Sequence, residues 1–148
     1  MSNLDHVVSK YALADLVSDY CLGVDKRELA RFSAIWWDDA VWDIQYVQTF
    51  EGAEEIQQAV EGLIWPMWRD TTHYCTNHRV SFDNSDRAHG ICDVYCIGNL
   101  ADGQAAHVVA SYHDDYERRD GVWKIRRRYV NQRAFNPLQG QTLSPPGA

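Results

Sequence analysis

Everything after Asp70 reads as strand, and that leaves few folds open. Four runs of strand character, Thr71 to Phe82, Ala88 to Leu100, Gln104 to Arg118 and Val122 to Phe135, are separated by short polar turns. The turns fall at Asp83 to Asp86, at Ala101 to Gly103 and at Asp120–Gly121. Asp-Gly between two such runs is a strong hairpin signal, because the favoured two-residue turn needs positive φ at both positions. Turns this short join strands antiparallel.

The residues before Asp70 read mainly as helix. Leu13, Leu16, Val17 and Tyr20 recur at helical spacing, with a start between Leu4 and Ser9. Gly23 weakens that helix near its end, which places Asp25 in its last turn or just beyond. A second short helix is expected from Glu28 to Trp36. Asp38–Asp39 then reads as a turn into a strand from Val41 to Tyr46, with a short partner from Val47 to Phe50. After Gly52, a third helix buries Ile56, Ala59, Val60, Leu63 and Ile64, and Pro66 ends or kinks it.

Helices first, then long antiparallel strands, predict an α+β fold. A curved antiparallel sheet packed on the N-terminal helices would leave a cone-shaped cavity between the layers. At 148 residues the whole span 1–148 reads as one domain. From Asn136 the chain holds Pro137, Pro145 and Pro146, so 136–148 is expected to form an extended C-terminal arm.

The net charge of −7 disfavours nucleic acid and anionic membrane surfaces, since no basic stripe is available to neutralise phosphates. Arg126 to Arg128 is the one basic cluster, and it lies in an expected strand. Met1 to Asp5 has neither a basic start nor an apolar run, so no signal peptide is expected, and no segment reads as long enough to span a bilayer. Cys21, Cys75, Cys92 and Cys96 show neither a C-x-x-C pair nor zinc spacing, and read as free thiols in a cytoplasmic protein. Neither a metal nor a cofactor is called for. Trp36 and Trp37 look exposed, and with the proline-rich tail they suggest a homo-oligomer.

Two residues stand out chemically. Asp25 closes an apolar-striped helix, and His73 sits in a strand rich in threonine and aromatics. Brought together, the carboxylate would hold the imidazole as a general base, able to take a proton from carbon without a cofactor. Taken singly, each has a bland reading. Asp25 can pair with Lys26 or Arg27, Tyr20 can simply pack, and a strand histidine is more often structural. His78, His89, His107 and His113 are equally available by type. Arg128 shares strand parity with Val130 and Gln132, whereas Trp123 and Ile125 have the opposite parity. The last strand therefore changes face or carries a bulge near Arg126. A solvated or salt-bridged face is the bland reading of the three arginines.

These residues also carry a family resemblance. Gly23 to Arg27, Ser33 to Ala40, Leu63 to Met67, Thr72 to Tyr74, Gly98 to Leu100 and Tyr116 to Lys124 resemble the hexachlorocyclohexane dehydrochlorinases across nearly the whole chain. That family lies in the SnoaL-like group of the nuclear-transport-factor-2-like superfamily, with scytalone dehydratase among its wider relatives. The resemblance implies a cone-shaped barrel, commonly a trimer. It maps Asp25 and His73 onto the catalytic dyad and Arg128 onto a pocket arginine. Trp42, Ile64, Trp68, Val94, Cys96, Ala110, Tyr112, Val130 and Gln132 map onto pocket-lining positions. The dehydrochlorinases carry a lysine where this chain has Tyr20, and that lysine is held to help chloride leave. A tyrosine ahead of the dyad aspartate resembles the dehydratases instead.

The resulting expectation is a cofactor-independent lyase of the dehydratase type. His73 removes a carbon-bound proton, Asp25 orients it, and Tyr20 and Arg128 support the departing group. The substrate is expected to be a small apolar oxygenated molecule, cyclic or aromatic, and the leaving group water. Loss of hydrogen chloride, double-bond migration and release of formaldehyde are alternatives on the same site. A non-catalytic ligand-binding module is the alternative from another class.

Overall fold

The computed structural model describes residues 2–140 and residue 143. Helix α1 (Asn3–Asp25) starts where the Ser2 hydroxyl accepts from the Asp5 N–H, satisfying one of the orphan donors of the first turn. Its buried stripe includes Leu13, Leu16, Val17, Tyr20 and Val24. Asp25 is its last residue, at the edge of the expected range. The chain then turns sharply, with Arg27 at φ 55°, into α2 (Leu29–Ala34).

Strand β1 (Trp36–Ile44) begins earlier than expected. Trp36 belongs to this strand and not to the second helix, and the strand runs through Asp38 and Asp39 without a turn. Short apolar runs do not separate helix from strand by period, and pairing with a distant strand decided the outcome here. Neither tryptophan offers the exposed surface expected of it. Trp36 is 1% exposed. Trp37 is half-buried, donates Nε1–H to the Glu117 carbonyl and stacks under Arg119 and Lys124.

After β2 (Gln48–Glu51), Gly52 at φ 90° leads into α3 (Ala53–Ala59). The same cylinder widens into a π turn (Val60–Ile64), where the Trp65 N–H reaches back to the Val60 carbonyl, and ends in α4 (Trp65–Met67). Pro66 has no N–H to give, and its ring would clash with a normal preceding turn. The widened turn sits immediately before it. Arg27 Nη2 donates to the carbonyls of Trp65, Trp68 and Arg69, and Trp65 Nε1 donates to the Val24 carbonyl. These bonds pin the end of this helical segment to the end of α1.

Four long strands follow: β3 (Trp68–Phe82), β4 (Arg87–Leu100), β5 (Ala105–Arg119) and β6 (Val122–Pro137). Asp120 at φ 49° and Gly121 at φ 81° make the expected tight hairpin between the last two. Since β6 continues through Pro137, Asn136 and Pro137 are strand rather than arm. Most of the remaining expected arm lies outside the described residues.

The sheet corrects the expected cone-shaped, curved antiparallel barrel. Its order is β2-β1-β6-β5-β4-β3, and β1 pairs with β6 in parallel while the other pairs are antiparallel. The sheet is therefore mixed. It is also open, with β2 and β3 as its edges, neither closed into a barrel nor strongly curled. Closure would require those edges to bond each other, but α1 packs beside β3 instead.

The parity break in β6 has the expected cause. Ile125 faces Tyr116 and Arg127 faces Asp115, which leaves Arg126 as the extra residue of a bulge. Trp123 and Ile125 are buried on one side of it, and Arg128 and Val130 on the other. The core fills the space between the helices and one face of the sheet, and Tyr20, Phe32, Trp36 and Trp42 form a tilted aromatic cluster within it. Among the described residues no helix is long and apolar enough to cross a membrane.

Candidate active site

The end of α1 meets the edge strand β3 at Asp25 and His73. An edge strand has backbone N–H groups that no neighbouring strand takes up. The His73 N–H donates to Asp25 Oδ2 at 2.8 Å. The His73 ring lies with Nδ1 2.6 Å from Asp25 Oδ1, and the Thr71 hydroxyl donates to that same oxygen at 2.7 Å. Burial works to raise the Asp25 pKa. The bonds and charge from His73, with the bond from Thr71, outweigh it and hold the carboxyl below its ordinary range. An ionised carboxylate only accepts, so Nδ1 carries the proton, and in the neutral ring Nε2 holds the lone pair. Both side chains are nearly buried, at 11% and 7% exposure.

His73 lines an apolar cavity of about 130 Å³. The walls come from every layer of the fold: Tyr20 and Val24 of α1, Trp42 and Ile44 of β1, Ile64 and Met67 of the helical segment before β3, and residues of the four long strands. Trp42, Ile64, Trp68, Val94, Cys96, Ala110, Tyr112, Val130 and Gln132 all lie on these walls. Thr71, Val24, Met67 and Phe135 join them, although the sequence did not single them out. Polar atoms are few, and Gln132 is the one amide among the described lining residues.

Arg128 is not on the wall. It is fully buried behind it, with its guanidinium carbon 4.3 Å from the Tyr20 ring centre and 4.2 Å from that of Tyr112. Its Nε and Nη2 donate to the two oxygens of Asp114 at 2.8 and 2.7 Å. The Tyr116 hydroxyl also donates to Asp114, and the Tyr116 oxygen stands 3.3 Å from His78 Nε2. Among the described residues, Arg128 Nη1 has no partner, and neither does Nε1 of Trp36 or Trp42. Such orphaned donors are uncommon in protein interiors and call for an acceptor. Burial pushes the phenol pKa of Tyr20 and of Tyr112 upward, so both stay protonated.

Asp114 and Tyr116 escaped the sequence reading. A signal existed, because Tyr112, Asp114 and Tyr116 alternate on one face of β5, and a carboxylate on a buried face needs a cation. The other histidines serve elsewhere. His89 lies between Asp83 and Asp115 at the surface, which raises its pKa, His107 meets Tyr95 edge-on, and His113 packs at a tilt against Tyr129. Among the described residues no three His, Cys, Asp or Glu side chains converge as metal ligands.

Comparison with known proteins places this geometry among relatives. The SnoaL-like domain family matches residues 5–129. Hexachlorocyclohexane dehydrochlorinase 1 of Sphingobium indicum is 45% identical, over all of this chain and 97% of its own length. Gamma-hexachlorocyclohexane dehydrochlorinase of the same species is 43% identical over 99% of this chain and 95% of its own. A crystal structure of a type 2 hexachlorocyclohexane dehydrochlorinase superposes with a TM-score of 0.96 at 44% identity, covering 99% of this chain and 100% of that one. A putative scytalone dehydratase from Novosphingobium aromaticivorans shares the fold at a TM-score of 0.84 and 20% identity, with 99% of each chain covered.

Proposed function

This chain belongs to the SnoaL-like family, and from that premise we propose that it is a cofactor-independent lyase eliminating hydrogen chloride from a polychlorinated cycloalkane. The observation that carries this reading is the Asp25–His73 pair, whose hydrogen bonds leave Nε2 of His73 as a base at an apolar cavity. His73 takes the proton from a carbon next to the one bearing chlorine. The C–H electrons form the double bond, the C–Cl bond breaks, and chloride departs with its electron pair. Asp25 stabilises the imidazolium that results.

Chloride and water make different demands as leaving groups. Hydroxide is a poor leaving group and needs a proton delivered as its bond breaks. Tyr20 and Tyr112 are the phenols at this cavity, and burial makes both reluctant acids. Chloride leaves as an anion and needs only N–H or O–H dipoles to meet it. The unpartnered Nε1–H of Trp42, with Nη1 of Arg128 behind Tyr20, supports that role. This chemistry and the identity to dehydrochlorinases favour hydrogen chloride over the water expected from Tyr20 alone. Tyr20 then serves as a neutral donor and as the screen between Arg128 and substrate.

Mass spectrometry on chlorinated cyclohexanes and on β-hydroxy cyclic ketones tests the choice. The expected result is loss of hydrogen chloride from the first class, reduced by roughly 10²–10⁴-fold in Asp25→Asn. Loss of water from the second class alone would replace this reading with dehydration.

A further inference from the structure

Cys21 of α1 and Cys75 of β3 have their sulfurs 3.3 Å apart, although the residues lie 54 positions apart in the chain. A disulfide needs a separation of about 2.05 Å, so the two sulfurs have roughly 1.3 Å left to close. Both thiols are half-buried and both line an open groove between α1 and β3, beside Leu22 and His78. Cys92 is buried and does not line the groove.

We propose that Cys21 and Cys75 form a thiol-oxidation site, which a peroxide converts into a covalent cross-link between α1 and β3. The placement gives the bond a consequence. Cys21 directly follows Tyr20, Asp25 closes the same helix, and His73 lies two residues before Cys75 and lines the same groove. The cross-link therefore joins the two elements whose contact builds the Asp25–His73 pair. It does not depend on the elimination chemistry proposed above.

The steps balance with hydrogen peroxide as oxidant. The Cys75 thiol, pushed up to about 12 first by its bond with Cys21, keeps its proton and is the second to react. Cys21 sulfur attacks one peroxide oxygen, the O–O bond breaks, the sulfur becomes a sulfenic acid, and the released hydroxide takes up the thiol proton as water. Cys75 sulfur then attacks Cys21 sulfur. The S–S bond forms, the S–O bond breaks, and the hydroxyl leaves with the Cys75 proton as a second water. Two thiols are oxidised and one peroxide is reduced.

The test treats the native protein with hydrogen peroxide, unfolds and alkylates it, and maps the unreduced digest by mass spectrometry. The expected product is one peptide pair joining Cys21 to Cys75, lighter by two hydrogens and split by dithiothreitol. It should vanish in Cys21→Ser and persist in Cys92→Ser, with circular dichroism melts verifying that each variant is folded. Oxidised wild type should also melt at a higher temperature than reduced wild type, and Cys21→Ser should show no such shift. A Cys75–Cys92 link, sulfinic acids without a cross-link, or four fully alkylated thiols would overturn the proposal.

Discussion

Asp25 accepts three hydrogen bonds, two from His73 and one from Thr71, and this sharing defines what the carboxylate can do. A charge-assisted bond is worth about 1.5–3 kcal/mol, so Thr71→Val, nearly isosteric, should destabilise the protein by that order. Because the folded pKa of Asp25 lies below its ordinary value, the stability it contributes is present above that ordinary value. It is lost as pH falls through the folded pKa. The difference in melting temperature between wild type and Thr71→Val should therefore be constant near neutrality and close in acid, which paired thermal melts would show. Asp25 and His73 were legible in the sequence, one ending an apolar helix and one in a strand. Thr71 is in phase with His73 on the same strand, but a threonine in a strand carries no signal of its own in sequence. The resemblance singled out Arg128, but parity left its burial open, and its partner Asp114 was not legible, since their pairing depends on the register of β5 against β6.

The element that carries Tyr20 and Asp25 is held in place by a missing side chain. A Cβ at Gly23 would stand 2.9 Å from the backbone nitrogen, Cα and Cβ of Phe32, so α1 and α2 touch through backbone at this point. Helix propensity alone would make Gly23→Ala stabilising by roughly 1 kcal/mol. Overpacking of about 1–3 kcal/mol opposes it, and with backbone on the far side there is no flexible group to yield. The urea midpoint should fall with the slope unchanged, as far-UV circular dichroism would show. From sequence, Gly23 read only as a weak point of the helix, because a glycine's close approach is a tertiary fact. The β6 bulge was legible because burial must alternate, and Trp123 and Ile125 disagree in parity with Arg128 and Val130. The strand start at Trp36 was not, since its register comes from β6, far along the chain.

At the scale of the molecule, the order of helices and strands was written in periodicity and turns, whereas the form of the sheet was not. Local pattern cannot encode a parallel pair between β1 and β6, nor whether two distant edges meet. The open sheet gathers residues from separate elements at one apolar cavity. His73 stands there, held through Nδ1 by Asp25, and N–H donors without a partner among the described residues lie at and behind the wall. Tyr74 and Tyr95 oppose each other across β3 and β4 and are exposed at the surface. The central claim is that His73 removes a proton from carbon as chloride leaves. Chloride release from hexachlorocyclohexane, followed in time for wild type and His73→Ala, tests it most directly. The account predicts one chloride for each hydrogen chloride lost from the organic product, at a rate lowered by at least about 10²-fold in the variant. A wild type that releases no chloride, or a His73→Ala variant that releases it at the wild-type rate, would contradict it.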